Sequence, residues 1–304
     1  MISDEFNSKI WIYFETNLKP RTRKEYFKII KDFNKEIGHD PLTLTSKEAK
    51  QYYNYLLNKM EHNLISYSTG VMRLSVIRSI CNFIEYYNIN HGKKYINYFK
   101  EYSLPEPDRL IDEKGIPNSL EINNILEAIK ECDDKKAFLI FSLAVKCALT
   151  NSEICKLNME YIVLDKTSNS ICINYPANSR NNIARTIKIP DDVAKLLDEY
   201  IYENNIKEGP VFINKRKNRM QLRDSERLIE KYCKICLDNN KIRNKYTLQA
   251  LRHAGLSYML AGGAPKDAVA NYAGITGRWM TRYDRIITSK TYNQAVNYSI
   301  ITIQ

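Results

Sequence analysis

The chain has 304 residues, with 46 Lys and Arg against 35 Asp and Glu, a net charge of +11 and 44% hydrophobic residues. That length suggests two domains, each able to bury a core. Positive charge spread through both halves favours a polyanion such as nucleic acid over a membrane surface. No apolar run reaches the ~20 residues of a transmembrane helix. Seven cysteines at irregular spacing, and a start "MISDEFNSKIWIYF" with early acids, point to a cytoplasmic protein with reduced thiols.

The first hundred residues read as helices. Apolar and aromatic side chains recur at three- and four-residue steps in "RKEYFKIIKDFNKEI", "KEAKQYYNYLLNKM" and "STGVMRLSVIRSICNFIEYYN". Start signals precede each: "KPRT", the capping-box pattern in "TLTSKE", and "SYST". Residues 1–104 are therefore expected to form an antiparallel cluster of helices. Its candidate DNA contacts are Arg21, Arg23 and Lys24 at a helix start, and Arg73 and Arg78 on a helix whose opposite face carries Val71, Leu74 and Ile77. "SLPEPDRLIDEKGIPNS" has three prolines, a glycine and no helical period, and residues 105–118 are read as a linker.

Residues 119–304 begin with helix patterns in "SLEINNILEAIKEC" and "KKAFLIFSLAVKCAL". The period then changes. "YIVLD", "SICINY" and "ARTIKIP" are short β-branched runs that predict a small antiparallel sheet, and "VFIN" reads as one more strand. "PDDVAKLLDEYIYENN" and the chain from Asp224 onward are helix-patterned. The fold class is mainly α with a small antiparallel β-sheet. Cys233 and Cys236 fall on one helical face with no second pair, which reads as core and not as a metal site.

This layout resembles the tyrosine recombinase (phage integrase) family. Within "LRHAGLSYMLAGGAPKDAVANYAGITGRWMTRYDR", the resemblance is to a His-x-Leu-Arg-His box, a Gly-containing turn, a helix ending in Leu-Gly-His and a Tyr eight or nine residues on. Tyr283 follows Ile275 by eight residues. "ALTNSEICKLNMEYI" resembles the Gly-Leu-Arg-x-Ser-Glu-Leu box, and "SYSTGVMRLSVIRSICNFI" the DNA-contacting helix of a core-binding domain. The resemblance implies a helical DNA-binding domain joined to a catalytic domain, together clamping double-stranded DNA. It also implies attack by a Tyr hydroxyl on a phosphodiester, with no metal or nucleotide cofactor. Without a metal, the phosphorane charge must be balanced by side chains: two arginines, a sheet lysine as acid, and two histidines.

Carried over residue by residue, the resemblance makes Arg252 the second arginine and Tyr283 the nucleophile. Thr150 stands where the first arginine is expected, and Gln249 and Ile275 stand at the two histidine positions. The sheet lysine belongs in "PANSRNNI", where Arg180 is the nearest cation and, being always charged, a poor acid. Lys146, Arg278, Arg282 and Arg285 are candidate replacement cations, Arg278 and Arg282 are also candidate DNA contacts, and His253 reads as a packing residue. The expectation is a DNA-binding member of the family with recombination weak or lost. The alternatives are a relaxase-like nickase acting through Tyr283 and an active integrase. The apolar tail "SKTYNQAVNYSIITIQ" is a candidate for self-association.

Overall fold

The computed structural model describes residues 2–106, 108–165, 168–174 and 184–287. The chain divides between Asp108 and Arg109 into two units, each with its own hydrophobic core. Among the described residues no helix is long and apolar enough to cross a membrane.

The first unit is helical. Helices α1 (Asp4–Phe6) and α2 (Ile12–Asn17) are joined by a π-helical stretch, Asn7–Trp11, and are followed by α3 (Pro20–Ile37), α4 (Ser46–Glu61) and α5 (Tyr67–Asn90). Local chemistry sets these limits. Pro20 opens α3, and Gly38, at a left-handed φ of 97°, closes it. Thr45 and Glu48 form the reciprocal capping box that starts α4, and Ser66 caps α5. Phe33, Tyr52, Leu56, Ile77 and Ile80 meet in the core. On α5 the basic residues differ from the sequence expectation. Arg78 turns inward, donating from Nε to the Phe99 carbonyl at 3.0 Å and from Nη2 to the Tyr102 carbonyl, while Arg73 pairs with Asp32 at 3.2 Å. Helical period places a side chain on a face, but a long guanidinium stem can still reach back to carbonyls.

The second unit begins earlier than position 119. Ile111 and Ile116 are buried in its core, and the Ile111 N–H donates to the Arg282 carbonyl at 2.6 Å, so the latter half of the expected linker is packed chain. Prolines and glycine hid these two anchors, because an extended segment carries no helical period. Helices α6 (Ser119–Glu131), α7 (Lys135–Lys146) and α8 (Asn151–Lys156) precede strands β1 (Ile162–Leu164), β2 (Asn169–Ile173) and β3 (Arg185–Lys188). The strands pair antiparallel in the order β1-β2-β3, with Ile171 opposite both Ile162 and Ile187. Helices α9 (Asp191–Glu203), α10 (Leu222–Asp238), α11 (Leu248–Ala261) and α12 (Lys266–Ala273) follow. A 3₁₀ stretch, Gly277–Tyr283, then leads to α13 (Asp284–Ile287). "VFIN" makes only an isolated bridge, Ile213 to Arg219, across a turn in which Lys217 has a φ of 59°. Cys233 and Cys236 are both buried in the core, as their spacing implied.

Helices α7 and α11 form the centre of this unit. Every residue of α7 from Leu139 to Val145 is buried, as expected of a helix enclosed on all sides. Gly255 lets α11 approach it closely: a Cβ there would lie 1.9 Å from the Val145 carbonyl oxygen. Beyond α7 the chain reverses at Ala148, which holds a left-handed φ of 51°. An L-residue with a Cβ is strained in that region by about 1 kcal/mol. Ala148→Gly is therefore expected to raise unfolding free energy by up to ~1 kcal/mol, the glycine's greater chain entropy offsetting part of the gain. Denaturant unfolding measures it, and a clear loss of stability would show that the turn is not strained.

Candidate active site

The reversal at Ala148 leads into α8, whose cap is Thr150. Its hydroxyl accepts from the Glu153 N–H at 3.2 Å, and Glu153 Oε2 accepts from the Thr150 N–H at 2.7 Å. Glu153 is itself buried, and its other oxygen takes a 2.7 Å hydrogen bond from Arg185 Nη1. From β3, Arg185 also donates from Nε to the Tyr272 carbonyl at 2.7 Å, which ties the sheet to the end of α12. Gly274 completes that end at a φ of 66°. A Cβ on Gly274 would sit 2.4 Å from Arg185 Nη1, so glycine is required there for both conformation and space. Arg185 Nη2 is buried with no hydrogen-bond partner among the described residues.

Arg252 occupies the middle of this arrangement. Only 6% exposed, it donates from Nε to the Ala148 carbonyl and from Nη2 to the Ala273 carbonyl, each at 2.6 Å. Thr150 lies two residues beyond the first carbonyl and Ile275 two beyond the second. One guanidinium thus gathers both positions beside α11. Ile275 is half-buried and packs on the core, bringing neither charge nor a side-chain hydrogen bond.

Tyr283 joins the same group from the end of the 3₁₀ stretch. It is 1% exposed, and its hydroxyl lies 2.6 Å from His253 Nδ1. His253 Nε2 in turn lies 2.9 Å from Gln249 Nε2, one helical turn earlier. Burial pushes the Tyr283 phenol up to about 12, with Arg252 and Arg282 pulling it the other way. Burial, reinforced by the same two guanidinium groups, draws His253 down to about 3. The ring is neutral near pH 7.

Hydrogen bonds thus link Gln249, His253 and Tyr283 in one chain and Thr150, Glu153 and Arg185 in another, while Arg252 holds the backbone two residues before Thr150 and Ile275. The other proposed cations have separate fates. Lys146 forms an ion pair with Asp192, and Arg282 donates from Nε to the Arg109 carbonyl at 2.8 Å, with its guanidinium over the Trp279 ring. Arg278 and Arg285 are exposed, and neither contributes to the shift of the phenol. Arg180 and the hairpin containing it lie outside the described residues, as does the apolar C-terminal tail. In the first unit Arg21 and Lys24 are exposed at the start of α3, and Arg23 approaches Glu15 at 3.6 Å.

Sequence reading missed a basic concavity. Lys136, Lys215, Arg216, Arg227 and Lys231 line a hollow of about 640 Å³, with Asp224 as its acidic member. Its signal was the charge run "NKRKNR" before α10. Arg185 gave no comparable signal, since its partner Glu153 is 32 residues away in sequence.

The fold is that of a tyrosine-recombinase-type domain. The sequence profile of the phage integrase family matches residues 118–283, and the chain belongs to that family. It is similar to the tyrosine recombinase XerC of Syntrophus aciditrophicus (strain SB), 21% identical over 279 residues that cover 86% of this chain and 85% of that one. Among solved structures, it is similar to the Tn1549 transposon integrase in complex with transposon right end DNA. The TM-score is 0.68 at 14% identity, covering 90% of this chain and 91% of that chain. It is also similar to a lambda integrase dimer bound to a core site, with a TM-score of 0.63 at 16% identity, covering 88% and 93%.

The depressed His253 has a thermodynamic consequence. An unfolded histidine takes up a proton near pH 6.5, whereas the folded ring resists until about pH 3. Below pH 6.5 the unfolded state binds more protons, so this group's contribution to stability falls as pH falls through that window. His39, raised by Glu48, acts in the opposite sense. His253→Gln is expected to flatten the loss of stability between pH 6.5 and 4.5 relative to the parent chain. Parallel stability curves for the two would contradict a buried neutral ring.

Proposed function

We propose that this chain is a duplex-DNA-binding member of the tyrosine recombinase class in which strand cleavage through Tyr283 is weak or lost. The observation that carries the second half is Thr150. Where an arginine is expected to meet the phosphorane, Thr150 brings a neutral hydroxyl already engaged in capping α8. A transition-state arginine in phosphoryl transfer is worth roughly 10³ to 10⁵ in rate, or about 4–7 kcal/mol. Gln249 and Ile275 add no charge, and the buried ion pair with Glu153 balances Arg185.

DNA binding is supported by the net charge of +11, by the hollow lined by Lys136, Lys215, Arg216, Arg227 and Lys231, and by Arg21, Arg23 and Lys24. Cations in the first turn of a helix oppose its dipole by about 0.3–1 kcal/mol, a cost that a bound phosphate would reverse. The DNA-bound integrases to which the fold is similar support the same reading. Backbone contacts of this kind supply affinity without sequence readout.

Binding to duplex DNA is expected to weaken by roughly 10³-fold or more between 50 and 200 mM salt if six or more phosphates are neutralised. On nicked suicide substrates the parent chain should give little or no denaturation-resistant adduct, Tyr283→Phe none, and Thr150→Arg a gain. Abundant adduct from the parent chain would instead indicate an active enzyme. Recombinant product would then identify an integrase, and nicking alone a relaxase-like protein. Salt-independent binding, or none, would remove the DNA-binding reading.

A further inference from the structure

The contact between His253 and Tyr283 carries a second role for α11, one that rests on Tyr283 being the nucleophile. The two rings do not stack: their centroids are 5.7 Å apart and their planes tilted by 56°. They meet at one point, His253 Nδ1 to Tyr283 Oη at 2.6 Å. The far ring nitrogen, Nε2, faces the side-chain amide nitrogen of Gln249 at 2.9 Å. An amide nitrogen only donates, so Nε2 of the ring must accept, and a neutral imidazole then carries its single proton on Nδ1. That proton points at the phenol oxygen.

We propose that His253 is the positioning residue of the nucleophile, held by Gln249 in the Nδ1–H tautomer so that it donates a hydrogen bond to Tyr283 Oη. The bond fixes the phenol oxygen beside Arg252 and leaves the phenol's own proton free to turn towards another acceptor. A donor on that oxygen also favours the ionised form, the same direction in which Arg252 and Arg282 act. Gln249 suits this task because it is neutral. An imidazole at 249 could donate, accept or ionise, and so would leave the tautomer of His253 unfixed, in a cluster that already holds two guanidinium groups. Spacing of four residues on α11 is what lets the amide reach the ring.

The chain has four histidines, His39, His62, His91 and His253, so the imidazole nitrogens can be resolved individually by long-range proton–nitrogen NMR on the 304-residue chain without DNA. His253 is expected to show a protonated Nδ1 and a bare Nε2. Tyr283→Phe should move the Nδ1–H proton upfield and leave the other three histidines in place. Gln249→Glu, whose carboxylate only accepts, should transfer the proton to Nε2. A parent-chain His253 protonated on Nε2, or an Nδ1 signal indifferent to Tyr283→Phe, would overturn the assignment.

A second measurement covers the case in which Tyr283→Phe does not fold. With 3-fluorotyrosine at position 283, His253→Asn, whose amide nitrogen overlays Nδ1, should keep the fluorine resonance near its parent position. His253→Leu should shift it. Equal shifts in both would mean that His253 acts only by filling space. None of these signals depends on DNA cleavage, so a chain that proved highly active would refute the proposed function and leave the role of His253 intact.

Discussion

A buried guanidinium tied to main-chain carbonyls organises the second unit. Taking a cation out of water costs several kcal/mol even after relaxation, and the cost is met only when its N–H groups find well-placed acceptors. Arg252 finds them in the carbonyls of Ala148 and Ala273, which belong to segments more than a hundred residues apart. Each carbonyl depends on a left-handed residue beside it or at it: Ala148 itself and Gly274. The close approach of α11 to α7 through Gly255 fixes the base of Arg252, and the two chain reversals bring the acceptors to its tip. Thr150 and Ile275 each lie two residues beyond a carbonyl that this one side chain holds.

The same geometry separates architecture from chemistry. The capping box of Thr150 and Glu153, the ion pair of Glu153 with Arg185, and the bond from Arg185 to the Tyr272 carbonyl form a continuous polar chain from α8 to β3 to α12. Every link holds backbone in place. Thr150 serves as a helix cap at least as well as an arginine would. In the proposed function, phosphoryl transfer lacks one positive charge there. The frame of a recombinase site is then present while its capacity to neutralise a phosphorane is reduced.

Much of this was legible in the sequence where local physics governs. Caps at Thr45 and Ser66 lie where polar residues precede apolar periodicity, and the three strands lie where β-branched runs replace it. Arg252 and Tyr283 were singled out by the family resemblance, and both are buried in the structure. What escaped depended on long-range contact. Ile111 and Ile116 sit in a Pro-containing stretch yet are buried, and the Ile111 N–H meets the distant Arg282 carbonyl. Arg78 has helical periodicity appropriate to a surface, yet its guanidinium is claimed by the carbonyls of Phe99 and Tyr102. His253 read as packing because no sequence pattern announces a hydrogen bond to a residue thirty positions away.

In the proposed function the site is assembled but short of positive charge. That shortage is tested most directly by changing the charge of the substrate while leaving the protein unaltered. A methylphosphonate at the scissile position removes one negative charge from the diester and hence the need for the missing arginine. A charge-deficient site predicts more Tyr283-linked adduct on methylphosphonate DNA than on the matching phosphate DNA, under identical binding conditions. No gain over the phosphate substrate would contradict it.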